Sequence, residues 1–253
     1  MIWQFINTGF NTGQFNMDFD LNLVKEFVPE SPVLRAYRWK PYCISLGTNQ
    51  DYSSLYMNKV SENGFEVVKR PTGGRAILHA EELTYSVVYP VTEEISPKQI
   101  YLEINLALKK GLVHYNPLFE KIELEHIQPH FPSFYKDAKS TLCFAVSAKN
   151  ELNFNEKKIV GSAQRKMGKV ILQHGSILCG NFHKQIIDYL NLTSEQLEEI
   201  QTEMDKTTTE IETVLDEPVN YERLVSSIKT GFENHFKIKF NDVVVEEIQE
   251  KVN

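Results

Sequence analysis

Apolar and aromatic residues alternate over residues 2–6, Ile-Trp-Gln-Phe-Ile, which reads as a first strand. Over 15–27 the apolar positions recur at helical spacing, with Asp18, Asp20 and Lys25 elsewhere on the turn. Pro29 and Pro32 end that helix, because proline donates no amide hydrogen bond and its ring blocks the next turn. Short strand-like runs follow at 33–38 and 42–46, a helix at 53–63, and strands at 66–70, 76–78 and 83–89. Residues 97–115 read as a helix. The stretch 116–141, with prolines and scattered polar residues, reads as a long loop around a short strand near 122–124, and loops of that length in a compact domain are usually functional. Two β-rich runs, 158–164 and 169–178, face each other across Met167 and Gly168 as a hairpin, and 183–236 is mostly amphipathic helix before a strand-like 237–245.

Helices and strands mix without regular βαβ alternation, so the pattern predicts an α+β fold around a mostly antiparallel sheet with surrounding helices. The 253 residues, 42% hydrophobic and 24% charged, suffice for one sizeable core. The reading is a single domain over 1–253, with 181–253 a mainly helical C-terminal segment. The start of the chain lacks a basic region followed by an apolar run, and no stretch approaches the roughly 20 apolar residues of a membrane span, so the chain is expected in the cytoplasm and off the membrane. A net charge of -7 argues against a nucleic-acid partner, which needs clustered positive charge. Cys43, Cys143 and Cys179 are few, odd in number and far apart, which argues against a disulfide framework or a zinc cluster and leaves room for a working thiol.

Three segments can carry chemistry. Lys69-Arg70-Pro71-Thr72-Gly73-Gly74-Arg75 leads into Leu78-His79 and Glu82-Leu83-Thr84-Tyr85-Ser86. Adjacent glycines between strands let backbone amides approach a ligand, with Arg70 and Arg75 beside them for an acidic group; the same pair also serves as a plain turn. It has neither Walker A nor dinucleotide spacing. Ser140-Thr141-Leu142-Cys143-Phe144 closes the long loop, and Lys157-Lys158-Ile159-Val160-Gly161-Ser162-Ala163-Gln164 follows. A thiol attacks thioesters only as the thiolate, and its free pKa of about 8.5 leaves little ionised near neutrality, so it needs a nearby cation such as Lys158. A buried, inert cysteine is the other reading of Cys143, and core packing is the reading of Cys43 and Cys179.

These motifs, with Ile171-Leu172-Gln173-His174-Gly175-Ser176-Ile177, Phe15-Asn16-Met17, Leu34-Arg35 and Leu46-Gly47, resemble the biotin/lipoate A/B protein ligase superfamily, and within it the LipM-type octanoyltransferases. The likeness runs in order over about the first 180 residues. It departs after Cys143-Phe144, where the family's proline and aromatic pair give way to Ala145-Val146-Ser147-Ala148-Lys149-Asn150-Glu151. The resemblance implies the catalytic-domain fold of biotin and lipoate ligases, of the class II aminoacyl-tRNA synthetase and biotin synthetase-like kind. It implies that Cys143 accepts octanoyl as a thioester from octanoyl-acyl carrier protein and that Lys158 lowers its pKa and contacts the acyl carbonyl. The acceptor is then a lysine of a lipoyl-carrier protein, the glycine cleavage H protein or an E2 lipoyl domain.

No cofactor is expected, since the thioester supplies the energy of the amide bond. Arg70, Thr72, Gly73, Gly74, Arg75, His79, Gly161, Ser162, Ala163 and His174 are expected at the substrate. Arg70, Arg75, Lys157, Lys158, Arg165, Lys166 and Lys169 are suited to steering acidic carrier domains, or else the outer lysines form a solvated face. His79 and His174 are open between structural and proton-shuttling roles. Three rivals stay open: an ATP-dependent lipoate–protein ligase, an enzyme moving octanoyl between lipoyl domains, and a non-catalytic lipoyl-domain-binding protein.

Overall fold

The computed structural model describes residues 2–26, 31–93, 95–125 and 151–243. Cys143 and most of the long loop before it lie outside the described residues. Strand β1 (Trp3–Asn11) runs past the expected 2–6 because it pairs in parallel with β2 (Val33–Trp39) along its length, through a bulge between Asn7 and Gly9. Helix α1 (Gly13–Lys25) starts where Thr12 Oγ1 accepts from the Phe15 amide, earlier than hydrophobic spacing alone located it. Strands β3 (Cys43–Leu46), β4 (Glu66–Lys69) and β5 (Ile77–His79) form a small sheet in the order β4-β3-β5.

The helix expected over 53–63 is broken: a 3-10 turn, Tyr52–Ser54, precedes α2 (Met57–Glu62). Between them Leu55 is extended and bridges Leu190, and Tyr56 N donates to Tyr189 O, so a tertiary contact takes the backbone groups a helix would have used.

Strand β6 (Glu82–Pro90) is buried at every position because both of its faces are covered. Leu83, Tyr85, Val87 and Tyr89 belong to the main core, which also takes in residues of α3 (Pro97–Tyr115). The alternate Glu82, Thr84 and Ser86 are buried polar residues, and Ser86 Oγ donates to Asp20 of α1. After a 3-10 turn at Pro117–Lys121 come β7 (Ile122–Leu124), β8 (Leu152–Phe154) and the hairpin β9 (Lys157–Met167) and β10 (Val170–Leu178). The 183–236 region is a 3-10 helix, Phe182–Tyr189, followed by α4 (Ser194–Thr207), α5 (Ile211–Leu215) and α6 (Tyr221–Phe236). Of the strand-like 237–245, the described residues form β11 (Phe240–Asp242), and 244–245 lie outside them.

The large sheet runs β11-β1-β2-β6-β10-β9-β8-β7. It is antiparallel from β2 onward, while β11, β1 and β2 are parallel at one edge. The expected mostly antiparallel α+β architecture is what forms. On one face, α3 and α6 cover the main core; on the other, Phe19 of α1 packs on Ile6, Val33, Val88, Val170 and Leu172. The small sheet packs its Ile44, Leu46 and Leu78 against Ile186, Tyr189 and Met204 of the C-terminal segment. Among the described residues no helix is long and apolar enough to cross a membrane.

Candidate active site

A cleft opens where the β9–β10 hairpin faces the small sheet and the first helix. Met17, Tyr37, Trp39 and Ile77 give it an apolar wall, and Lys158, Glu151, Gly161, Ala163, His79 and His174 also line it. Its empty space is about 470 Å3 counting the open mouth, of which about 30 Å3 is enclosed space for a water-sized occupant. Small residues on β9 leave room for a ligand beside the sheet: Gly161 pairs with Ser176, Ser162 with Gly175 and Ala163 with His174. Gly175 is required by packing, since a Cβ there would collide with the Gly161 carbonyl and come within 2.9 Å of the Tyr85 ring. Ser162 turns its hydroxyl to Tyr85 OH, 2.7 Å away, and donates to Asn105 Oδ1 at 3.3 Å.

Lys158 is 2% exposed, and its Nζ lies 2.8 Å from Glu151 Oε2. A buried ammonium is tolerable only with such a partner. Its intended partner in chemistry, Cys143, lies outside the described residues. The other two cysteines are buried: burial, with Glu66 and Glu82 nearby, raises the Cys43 thiol, and burial pushes Cys179 up to about 12. Neither has the ionisation a nucleophile needs, which agrees with their reading as packing.

The segment Arg70 to Arg75 is a loop clamped from several sides. Arg70, 3% exposed, donates through Nη1 to Ser45 O and Oγ, through Nε to Gly73 O, and through Nη2 to Gly73 O and Arg75 O. Thr72 Oγ1 lies 2.6 Å from His174 Nε2, and Arg165 Nη1 donates to Pro71 O at 2.6 Å. Gly74 has φ 96, and its carbonyl sits so close to Gly47 that a Cβ at 47 would collide with it. The glycine pair is therefore a turn whose shape is set by the cleft wall.

This geometry corrects the steering set. Arg70, Arg75 and Lys158 are buried, and Lys157 donates to the Asp205 carbonyl; Arg165, Lys166 and Lys169 are exposed. Burial removes the first three from the surface field that an approaching domain meets.

Both histidines sit in buried carboxylate chains. His174 Nδ1 faces Asp20 Oδ2 at 3.6 Å, and Asp20 Oδ1 accepts from Arg35 Nη1 at 2.8 Å and Ser86 Oγ at 2.7 Å. Burial works to raise the Asp20 carboxyl, but Arg35, His174 and Ser86 together hold it below the usual range. Burial lowers His174 despite Asp20, so the ring is held neutral. In the second chain, His79 Nδ1 lies 2.8 Å from Glu82 Oε1 and Nε2 lies 2.7 Å from Ser45 Oγ, with the ring stacked 4.0 Å from Trp39. Glu82 also accepts from Ser176 and Thr84, and these bonds with His79 outweigh burial and keep its carboxyl low.

Sequence reasoning named the histidines and Lys158 but missed Asp20, Glu82 and Ser45 as partners of the histidines and Glu151 as a partner of Lys158. The signal available for Asp20 was its place one turn after Asn16 on α1, since both reach Arg35. None was available for Ser45, whose role depends on contacts 25 and 34 residues away.

Residues 12–233 match the family model of the lipoyl protein ligase A/B catalytic domain. The chain is 34% identical to octanoyltransferase LipM of Macrococcus caseolyticus, over 99% of this chain and 93% of that protein. It is 31% identical to octanoyltransferase LipM of Lysinibacillus sphaericus, over 98% of this chain and 91% of that protein. Among solved structures it is similar to the bi-partite lipoate protein ligase of Thermoplasma acidophilum, solved in a study of that enzyme and its E2 lipoyl domain. The TM-score is 0.75 at 18% identity, over 98% of this chain and 90% of that one.

Proposed function

This chain belongs to the lipoyl protein ligase A/B catalytic-domain family, with LipM octanoyltransferases among its relatives, and we propose that it transfers octanoyl from acyl carrier protein to a lysine of a lipoyl-carrier protein. The observation that carries this is Lys158: a buried, paired ammonium on the small-residue strand of an apolar cleft. Such a charge in a dry site stabilises a thiolate and then a developing oxyanion more strongly than it would in water.

In this reading the Cys143 thiolate attacks the donor's thioester carbonyl, the donor's C–S bond breaks, and its thiolate takes a proton from solvent. The neutral amine of the acceptor lysine then attacks the acyl-enzyme. The C–N bond forms, the bond to Cys143 breaks to return the thiolate, and the nitrogen releases its extra proton to solvent. Arg70, Thr72, Gly73, Gly74 and Arg75 shape the cleft from the clamped loop, while His79 and His174 hold it in place. At about 0.8 kcal/mol per buried CH₂, six methylenes along Met17, Tyr37 and Trp39 contribute on the order of 5 kcal/mol. The compartment proposed is the cytoplasm, and the acceptors are the glycine cleavage H protein or an E2 lipoyl domain.

Intact masses of the wild type and Cys143→Ala, taken after incubation with octanoyl-acyl carrier protein and no ATP, test the reading. One hydroxylamine-sensitive octanoyl group on the wild type alone is the expected result. No adduct on either protein, with transfer appearing only when ATP and free octanoate are added, sinks it in favour of an adenylating ligase.

A further inference from the structure

Tyr52, Tyr56 and Met57 are 41%, 46% and 42% exposed, all within residues 52–57. The other large hydrophobic side chains open to solvent among the described residues, Ile2, Phe10 and Leu21, come singly along the chain. Single exposed hydrophobics are ordinary, whereas a cluster marks a surface that a partner covers. The needs of the local helix do not account for this one. Tyr56 is the N-cap of α2 yet makes no side-chain cap hydrogen bond, and the first turn that Met57 opens has no acidic residue. A serine or an aspartate would serve the helix better. A segment that breaks a local rule while holding apolar surface in water is where function sets the residue.

The platform under these side chains is fixed. Asp51 Oδ1 accepts from Ser53 N at 2.8 Å, and Leu55 bridges Leu190. Tyr56 N donates to Tyr189 O at 2.8 Å, and Asn191 N donates to Ser54 O at 2.9 Å. Rings presented on a backbone already ordered lose little freedom when a partner covers them. The patch also continues to the cleft. Lys69 Nζ lies 5.2 Å from the centre of the Tyr52 ring, and the next residue, Arg70, lines the cleft. Beyond it, the Pro71 carbonyl accepts from Arg165 of β9. Lys69 and Arg165 are exposed, so this side of the cleft has a rim with apolar surface at one end and cations along it.

We propose that Tyr52, Tyr56, Met57 and Lys69 form the surface on which the acceptor protein docks, a folded domain with an acidic face beside its target lysine. The inference rests on the reading of the chain as an octanoyltransferase given above. The reach of the two substrates decides between them. A lysine amine stands about 6 Å beyond its own backbone, a few bonds of about 1.5 Å, so the acceptor domain must sit on the rim itself. The donor delivers its acyl group on a long flexible arm and needs no such closeness. Tyrosine and methionine are enriched at the cores of protein interfaces, and a cation beside them favours an acidic partner.

The test uses the full-length protein and two exposed substitutions that spare the fold. Tyr56→Ser removes a ring and supplies a preferred N-cap, and Met57→Glu puts a negative charge in the first turn of α2, where a helix accepts one. Titration calorimetry gives the dissociation constants of an E2 lipoyl domain, its target lysine replaced by alanine, and of acyl carrier protein. The lipoyl domain is expected to bind each variant about tenfold more weakly than the wild type, while acyl carrier protein changes by less than about twofold. An unchanged lipoyl domain, or a loss for acyl carrier protein as large as for the lipoyl domain, overturns the proposal. So does a wild type that does not bind the lipoyl domain. A wild type that sediments as two copies, with Tyr56→Ser as one, gives the surface to a second copy and overturns it too. Cooperative melting is checked first, and Lys69→Glu replaces any variant that fails it, with the same expectation. Failure of the transferase reading shows separately, as a wild type that binds the lipoyl domain through this surface but moves no octanoyl to its lysine.

Discussion

Arg35 shows how much of this site is held by single buried side chains. It is fully buried, stacks 3.9 Å over the Tyr37 ring, and donates to Asp20, Asn16 and Thr8. Asp20→Asn leaves that guanidinium buried beside a neutral amide, and a loss of about 3–5 kcal/mol in urea unfolding at neutral pH is expected. Acid should act in two stages. Because burial holds His174 and His183 neutral in the fold, the unfolded chain binds protons that the fold refuses, and stability falls as pH drops below about 6.5. Asp20 and Glu82 are held low, so their contribution is complete above about 4 and is lost as pH falls through their folded values. Urea midpoints measured from pH 8 to 3 should show both stages. His174→Gln should flatten part of the first and, because His174 helps to hold Asp20 low, also shrink the second, whereas an unchanged profile would mean that His174 is not held neutral. The motif histidines were legible as residues, but their partners come from elements far along the chain, Thr72 lying 102 residues from His174 and Ser176 lying 97 from His79, so their states were not.

Helices α3 and α6 cross at glycines. A Cβ on Gly111 would lie 2.7 Å from Ile228 Cα, and one on Gly231 would collide with the Gly111 backbone and meet Ala107 O at 2.6 Å. In an open helix, Gly→Ala is worth roughly 0.5–1 kcal/mol of added stability. Here overpacking of about 1–3 kcal/mol should reverse the sign, so Gly231→Ala is expected to lower the urea midpoint; a higher midpoint would show that the helices can separate at no cost. Hydrophobic spacing locates the helices but gives no sign that these two glycines are where they cross. The same limit explains the 53–63 region, where helical spacing was correct for α2 but could not show that Leu55 is drawn into a bridge with Leu190. Strand β8 was missed for a related reason: three residues carry too little pattern, and its existence depends on β7 and β9 on either side.

Across the whole molecule the charge is -7, yet the end of the β9–β10 hairpin presents Arg165, Lys166 and Lys169 to solvent. Arg165 also donates to the Pro71 carbonyl, which ties the exposed basic end to the clamped loop. Replacing all three by alanine should lower kcat/KM for an acidic carrier several-fold, chiefly through KM. The gap should narrow as salt rises to about 0.3 M, because screening acts within a Debye length of about 10 Å or less. Equal loss at every salt concentration would assign these residues to structure instead. The C-terminal segment is tied into the fold at both ends of this architecture: β11 pairs with β1, and Thr209 N donates to Lys158 O. It therefore supports the very strand that carries the lysine.

The sequence by itself determined the type of most elements and pointed to the Arg70–Arg75, Lys158 and His174 segments. Hydrophobic period, caps and glycine pairs act within a few residues, and the ordered motifs carry a family's chemistry with them. Only the tertiary structure decided what each charge faces. Glu151, Asp20 and Glu82 matter because folding removes water around them, and the energy of a charge in a dry site depends on what lies within a few ångströms. Those neighbours are set by sheet register and helix packing between distant segments, which no local pattern records.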